Sequence, residues 1–389
     1  MKFIFPVLLL TSICAYSADI DSIAVRFAGE SPSLAAEKAR LDAEYQEALN
    51  ENILEGPEAE FEYKFGREEN RWGAGIGQGF DWPGVYAARR SANGIRKSAL
   101  DRLYESRLAD KALDIKLSIL RYRRAAELHA AYSDIKKHFE LLRDTYARSL
   151  ARGESTILDV RRVEVEFFKA SVEVGEAETA LKSAEADLIG LGGKDLAEAS
   201  GSYRYTLATL RPMQVYQNAM VEANPEMAYY NSLSHLAEAE MKVARRSLLP
   251  SFKLSFIHDY EEGSHFNGFG IGISLPSWNG KHRIAAARSA AVAATSALTD
   301  YKMQMSAQLY ADYARAGELY STLSASTATF EDGDYTRLLQ KALDTGKINL
   351  YQYLSDYLEY TGAKVTYINL LYDYAETDAR LSRYSILDK

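Results

Sequence analysis

Six histidines and a single cysteine are the residues best equipped for metal or nucleophilic chemistry in this chain of 389 residues. His258 and His265 bracket Asp259, Glu261 and Glu262. Imidazole nitrogens and carboxylates so close in sequence could ligate a divalent cation. The simpler reading is a solvated loop joining two strands, and no resident metal is expected. His129, His138, His235 and His282 stand singly in helical stretches, where a histidine ordinarily faces solvent or a helix neighbour. One cysteine cannot form an intrachain disulfide or a cysteine-based zinc site. There is no phosphate-binding glycine loop, no metal-protease helix and no serine or cysteine nucleophile context. The alternating glycines described below belong to strands rather than to a dinucleotide fingerprint. No catalytic residue and no cofactor is expected.

The composition narrows the class further. Lys and Arg number 46 against 54 Asp and Glu, a net charge of −8. That balance argues against a nucleic-acid binder, which needs a basic excess. The apolar fraction is 47% and the charged fraction 26%, ordinary for a folded chain. Residues 1–17 read as an export signal: Lys2, an apolar run from Phe3 to Ile13, and small residues at Ala15 and Ser17 before a cleavage point. Cys14 sits in that run behind Ile13, where a lipoprotein signal wants a small residue, so it reads as part of the removed segment. No later stretch reaches the roughly 20 apolar residues of a membrane helix.

Punctuation residues reveal the elements that must position everything else. Pro32, Pro57 and Pro83 recur 193 residues later as Pro225, Pro250 and Pro276. Gly75, Gly77 and Gly79 map onto Gly268, Gly270 and Gly272, and Gly153 onto Gly346. Ungapped matches at one shift indicate one unit written twice. The boundaries drawn are 18–210 for the first repeat and 211–389 for the second. Each repeat opens with a helix, at Ser31-Pro32 and at Asn224-Pro225, where a capping residue precedes a first-turn proline.

The period then changes to two. Ala59, Phe61, Tyr63 and Phe65 alternate with Glu58, Glu60, Glu62 and Lys64. Trp72, Ala74, Ile76, Phe80 and Trp82 alternate with Gly73, Gly75, Gly77 and Gly79. The second repeat answers with Phe252, Leu254 and Phe256, and with Phe269, Ile271, Ile273 and Leu275 against Gly268, Gly270, Gly272 and Ser274. Strict alternation predicts strands closing as hairpins. At about 9 to 11 residues they suit a tilted bilayer-crossing strand. Trp72, Trp82 and Trp278 fall in or beside the hairpins, where membrane barrels carry aromatic girdles. Four strands cannot close a barrel, whereas a homotrimer supplies twelve.

The remainder of each repeat reads as helix, proline-free from Gly84 to Arg211 and from Ser277 to Lys389. Leu128, Ile135 and Leu142 are spaced by seven, as are Tyr132, Phe139 and Tyr146. Ile284, Ala287, Ala291, Ala294, Leu298, Tyr301 and Met305 alternate spacings of three and four. These are coiled-coil seams. Breaks at Gly153 and Gly346 predict a long helix of about 65 residues, a tight turn and a returning helix of about 40 in each repeat, the long helix spanning about 100 Å. The many tyrosines are expected to find partners largely on other chains.

With these features assembled, the chain resembles the TolC family of outer-membrane efflux proteins. The likeness covers essentially the whole mature chain. It rests on the duplication, on Asn224-Pro225-Glu226, on Ala244-Arg245-Arg246-Ser247-Leu248-Leu249-Pro250, on Gly270-Ile271-Gly272-Ile273-Ser274-Leu275-Pro276 and on Phe80-Asp81-Trp82-Pro83-Gly84. The resemblance implies a mainly α fold with a small β part, whose four strands per chain join a trimeric twelve-stranded β-barrel continued by a long coiled-coil α-barrel. It implies a homotrimer in the outer membrane that conducts drugs, metal ions or other small molecules passively, meeting a periplasmic adaptor and an inner-membrane pump. Gly153 and Gly346 match the tunnel-tip turns, which makes Arg152, Glu154, Thr345 and Lys347 the expected adaptor contacts. Two aspartates that form an acidic ring in some members are replaced by Gln352 and Ser355; Asp159 and Asp356 are the candidates for a pore constriction. The competing reading is a periplasmic coiled-coil scaffold or adaptor with a small β element.

Overall fold

The computed structural model describes residues 20–65, 71–201, 203–261, 263–275, 280–331 and 334–388. The leader 1–17 with Cys14, and also Glu262, Pro276 and Trp278, lie outside the described residues. The element order is α1 (Ile20–Gly29), α2 (Pro32–Asn50), β1 (Glu58–Lys64), β2 (Arg71–Phe80), α3 (Pro83–Ala151), α4 (Ile157–Gly201), α5 (Met213–Glu222), α6 (Pro225–Arg246), β3 (Ser251–Glu261), β4 (Ser264–Ser274), α7 (Gly280–Glu331), α8 (Asp334–Asp344) and α9 (Leu350–Leu381). A single 3-10 segment, Arg383–Asp388, follows α9. The chain is mainly helical with one small sheet, as its periodicity predicts. None of the helices among the described residues is long and apolar enough to cross a membrane.

Five pairs of elements begin 193 residues apart: α1 and α5, α2 and α6, β1 and β3, β2 and β4, α4 and α9. The pair α1 and α5 is not anticipated by the proline spacing. Its signal is a short amphipathic run in which Ile20, Ile23, Ala24 and Phe27 are buried on one face. The first long helix holds 69 residues. After the second hairpin α7 holds 52 and α8 a further 11, where the sequence predicts one run. The returning helices also differ, because Gly192 and Gly193 leave helical geometry inside α4.

Two compact units are each assembled from both halves of the sequence. The first comprises the residues up to Ser31, Lys111–Arg211 and Asp312–Lys389. In it α1 packs on α4. Lys116 and Asp21, both buried, form an ion pair at 2.5 Å that ties α1 to α3. Burying such a pair is tolerable because each charge neutralises the other. The helix-pair core is the predicted seam: Ile135, Phe139 and Leu142 of α3 meet Val163 and Ala170 of α4, Leu339 of α8, and Leu350, Tyr353, Leu354 and Tyr357 of α9, with Tyr132 and Tyr146 half-buried against them.

The tyrosines depart from expectation. Tyr353, Tyr372 and Tyr374 of α9 are fully buried inside this chain. Tyr372 donates to Glu127 Oε1 at 2.7 Å and Tyr374 to the Ala208 carbonyl at 2.8 Å. A buried phenol needs a partner for its hydroxyl, and these find one on neighbouring elements of the same unit.

The second unit comprises Pro32–Asp110 and Pro212–Ala311. Ala92 of α3 packs on Leu236 and Ala239 of α6. Asn224 caps α6, accepting from the Glu226 and Met227 amides. The Tyr301 hydroxyl accepts from Asn224 Nδ2 at 3.1 Å and donates to Glu226 Oε2 at 3.0 Å, pinning the start of α6 to α7. Along α7 the seam positions Ile284, Ala287, Ala291, Ala294, Leu298 and Met305 are half-buried and Tyr301 is buried. The sheet is antiparallel in the order β1-β2-β3-β4.

Candidate functional site

The sheet separates two chemistries by face. The register sets Glu58, Glu60 and Glu62 beside Gly77, Gly75 and Gly73, and those glycines beside Ser255, Ile257 and Asp259. Because side chains alternate, Ala59, Phe61, Tyr63, Ala74, Ile76, Leu254, Phe256, Phe269, Ile271 and Ile273 share the other face. That apolar face is bare: Phe269 is 82% exposed, Ile271 79% and Ile273 61%. Water contact on this scale costs free energy in a soluble chain, and marks a surface meant for another apolar phase or partner.

Aromatics stand at both ends of this face. Trp72 lies against Phe61, His258 and Tyr260. Trp82 lies against Phe252. The ten residue steps from Trp72 to Trp82 span about 33 Å at strand rise. Tilted by about 40°, they cover roughly 25 Å, the height of the apolar band on a membrane barrel. On the polar face, Lys253 reaches over Gly77 to Glu58 at 2.6 Å. A β-carbon at Gly77 would stand 2.6 Å from Lys253 Cε, so a side chain there would push the lysine arm off its path across the three strands. Arg71 pairs with Glu261 farther along the same face.

The two predicted turns are built alike. Gly153 and Gly346 have φ of +72° and +66°, the left-handed region that glycine enters without cost. Gly153 N–H donates to the Leu150 carbonyl and Glu154 N–H to that of Ser149; Gly346 and Lys347 do the same to Leu343 and Ala342. These are the paired bonds that close a helix C-terminus on a left-handed residue. Arg152 and Glu154 are exposed and paired at 2.7 Å. Thr345 and Lys347 flank the second glycine, and both are exposed.

A helix restarts after each turn on a side-chain cap. Asn349 accepts from the Gln352 amide at 2.9 Å. Thr156 accepts from the Asp159 amide, while the Asp159 carboxylate accepts from the Thr156 hydroxyl at 2.6 Å and its amide at 3.0 Å. This reciprocal box satisfies helix donors that would otherwise be orphaned. The Thr156 hydroxyl and amide together hold the Asp159 carboxyl below its ordinary range. Asp356 is half-buried with no ion pair among the described residues.

Behind the turns, His138 stacks on Tyr357 at 4.3 Å. Its Nε2 is 2.6 Å from the Tyr353 hydroxyl, which donates to Gln340 Oε1 at 2.9 Å. Burial pushes the His138 pKa down and those of Tyr353 and Tyr357 up. The sequence pattern placed His138 only as a solitary helix histidine; its position three residues after Ile135 put it beside the seam.

These elements recur together in solved structures. A membrane protein from Pseudomonas aeruginosa superposes with a TM-score of 0.76 at 15% identity, over 94% of this chain and 90% of that one. The CmeC outer membrane channel of Campylobacter jejuni gives 0.72 at 13% identity, over 94% and 84%. The outer-membrane channel OprN gives 0.71 at 14% identity, over 94% and 89%. The chain has the TolC-like outer-membrane channel fold. The TolC-like likeness is carried by structure: no protein-family model and no curated protein matches the sequence.

Proposed function

We propose that this chain is one subunit of a homotrimeric outer-membrane channel through which exported small molecules pass. The observation that carries the reading is the sheet. It exposes an aromatic-edged apolar face, its other face is polar and glycine-rich, and among the described residues β1 pairs only with β2 and β4 only with β3. Open strand edges need partners in a membrane, and three copies supply twelve strands that close on themselves. Lipid meets the face bearing Ile271 and Ile273; the face bearing Glu58, Glu60 and Lys253 lines the lumen. The periplasmic adaptor or scaffold reading leaves that bare apolar face unexplained.

In this reading residues 1–17 direct export, 18–210 and 211–389 are the two repeats, and the helices form a periplasmic tunnel. Arg152, Gly153, Glu154, Thr345, Gly346 and Lys347 meet a periplasmic adaptor, which links the channel to an inner-membrane pump. Trp72, Trp82 and Trp278 form the aromatic girdle. Asp159 and Asp356 are the proposed constriction; Asp356 has the freer carboxylate, because that of Asp159 is engaged by Thr156. A threefold ring of carboxylates attracts cations, since the like charges repel until a counterion joins them. Conduction is passive, so no residue is assigned a catalytic role. The test is to fractionate expressing cells and size the detergent-extracted protein. Outer-membrane recovery as a threefold assembly is expected; a soluble periplasmic monomer would falsify the reading.

A further inference from the structure

We propose that the β3–β4 hairpin carries a two-histidine site for a late first-row divalent cation of the copper(II) or zinc(II) class. His258 Nε2 and His265 Nδ1 stand 3.3 Å apart. Two nitrogens bound to one metal at about 2.0–2.1 Å in tetrahedral geometry are separated by about 3.3 Å. The tautomer is also set. His258 Nδ1 lies 2.7 Å from Asn267 Oδ1, which can only accept, so the ring proton is on Nδ1 and the Nε2 lone pair points at His265. An outer partner that holds one imidazole nitrogen protonated and leaves the other to the metal is the usual support of a histidine ligand.

The rings already pack together before any metal arrives, and binding turns each by about 35° so that both lone pairs meet at an apex off the line joining the nitrogens. His258 packs against Trp72 at 5.5 Å and stacks with His265 at 5.3 Å, while Tyr260 flanks His265 at 5.1 Å. Without metal, His265 Nδ1–H donates to His258 Nε2. On metal binding that proton leaves Nδ1, and Nε2 of the same ring carries the hydrogen instead, so the imidazole stays neutral. Imidazole pairs select copper(II), nickel(II) and zinc(II) over calcium or magnesium, which want oxygen ligands. Asp259 and Glu261 do not join the pair as sheet neighbours: the register puts Asp259 on the opposite face from His258, and Glu261 on the same face as Asp259. The pair lies at the turn end of the face that bears Phe256 and Phe269, beside Trp72 and Tyr260, so the remaining coordination positions are filled by water at that end of the sheet or by a group presented from outside the chain. The site belongs to this hairpin alone and stands whether or not the sheet closes a channel.

The test uses the full-length detergent-purified protein titrated with copper(II) and read by electron paramagnetic resonance and calorimetry. One copper per chain with a two-nitrogen signature is expected. His258→Ala and His265→Ala should each abolish the two-nitrogen signature. Asn267→Leu, which keeps both ligands but frees the tautomer, should weaken affinity by about 10- to 100-fold. Circular dichroism identical to wild type establishes that each variant is folded. Unchanged copper binding in either folded histidine variant overturns the proposal, as does a wild-type signal traced by substitution to His129, His138, His235 or His282.

Discussion

At the scale of single residues, the turns and their caps carry the clearest consequences. A β-carbon at Gly153 or Gly346 meets nothing within 4 Å, so substitution there is opposed by backbone conformation and not by a clash. Gly153→Ala and Gly346→Ala should each cost about 1–2 kcal/mol, read as a shift in denaturant midpoint with unchanged slope. His138 gives a pH signature. Its pKa is lowered in the folded state by burial, so the unfolded chain takes up the proton first as pH falls. Stability conferred by the neutral ring is complete above the unfolded value of about 6.5 and is lost as pH drops through the lower folded value. Denaturation midpoints between pH 7.5 and 5 should therefore fall with acidification, and His138→Gln should flatten that slope. An unaltered slope in the variant would show that His138 is not the group responsible.

At the scale of elements, the sheet makes a prediction by face. Ile271 and Leu254 are register neighbours, as are Ser255 and Gly270 one step along. Ile271→Asp and Ile273→Asp place a charge on the face assigned to lipid, and Ser255→Asp places one at nearly the same depth on the other. A lysine or arginine facing the bilayer costs about 2–4 kcal/mol per chain near the midplane and an aspartate somewhat less, tripled in a trimer. Loss of assembled, heat-resistant protein is expected for the isoleucine variants and near-normal assembly for Ser255→Asp. Equal tolerance of all three would refute the lipid assignment. A second elementary feature is an apolar stripe that recurs at the 193-residue interval: Leu158, Val165 and Val172 on α4, all exposed, answer to Tyr351 and Leu358, exposed, and Val365, half-buried, on α9. Leu158 is 69% exposed and Tyr351 64%. Arg162 lies over the Tyr351 ring at 5.2 Å, so the two stripes sit on adjoining helices beside the turns.

At the scale of the whole molecule, the proposed assembly can be separated from its proposed docking. Arg152→Glu with Lys347→Glu reverses charge at both turns while leaving their glycines and caps intact. Trimer yield should be unchanged and adaptor affinity should fall roughly tenfold, about 1.4 kcal/mol. Cross-linking to the adaptor at wild-type efficiency would remove these residues from the docking surface. Much of this molecule was legible in its sequence. Periods of two and three to four follow from strand and helix geometry alone, and proline and glycine mark ends because of their own backbone limits. Strands, long helices, both glycine turns and the seam through Ile135 and Phe139 therefore came from local rules, as did the 193-residue interval that the boundaries of α1 and α5 also obey. Other features depend on which segments meet. The pairing of β2 with β3 joins the two hairpins into one sheet, and the two compact units each draw on both halves of the sequence. Tyr353, Tyr372 and Tyr374 found partners within the chain. His258 and His265, seven residues apart across a hairpin, came within 3.3 Å. Such encounters are set by register and packing between residues distant in sequence, which periodicity does not encode.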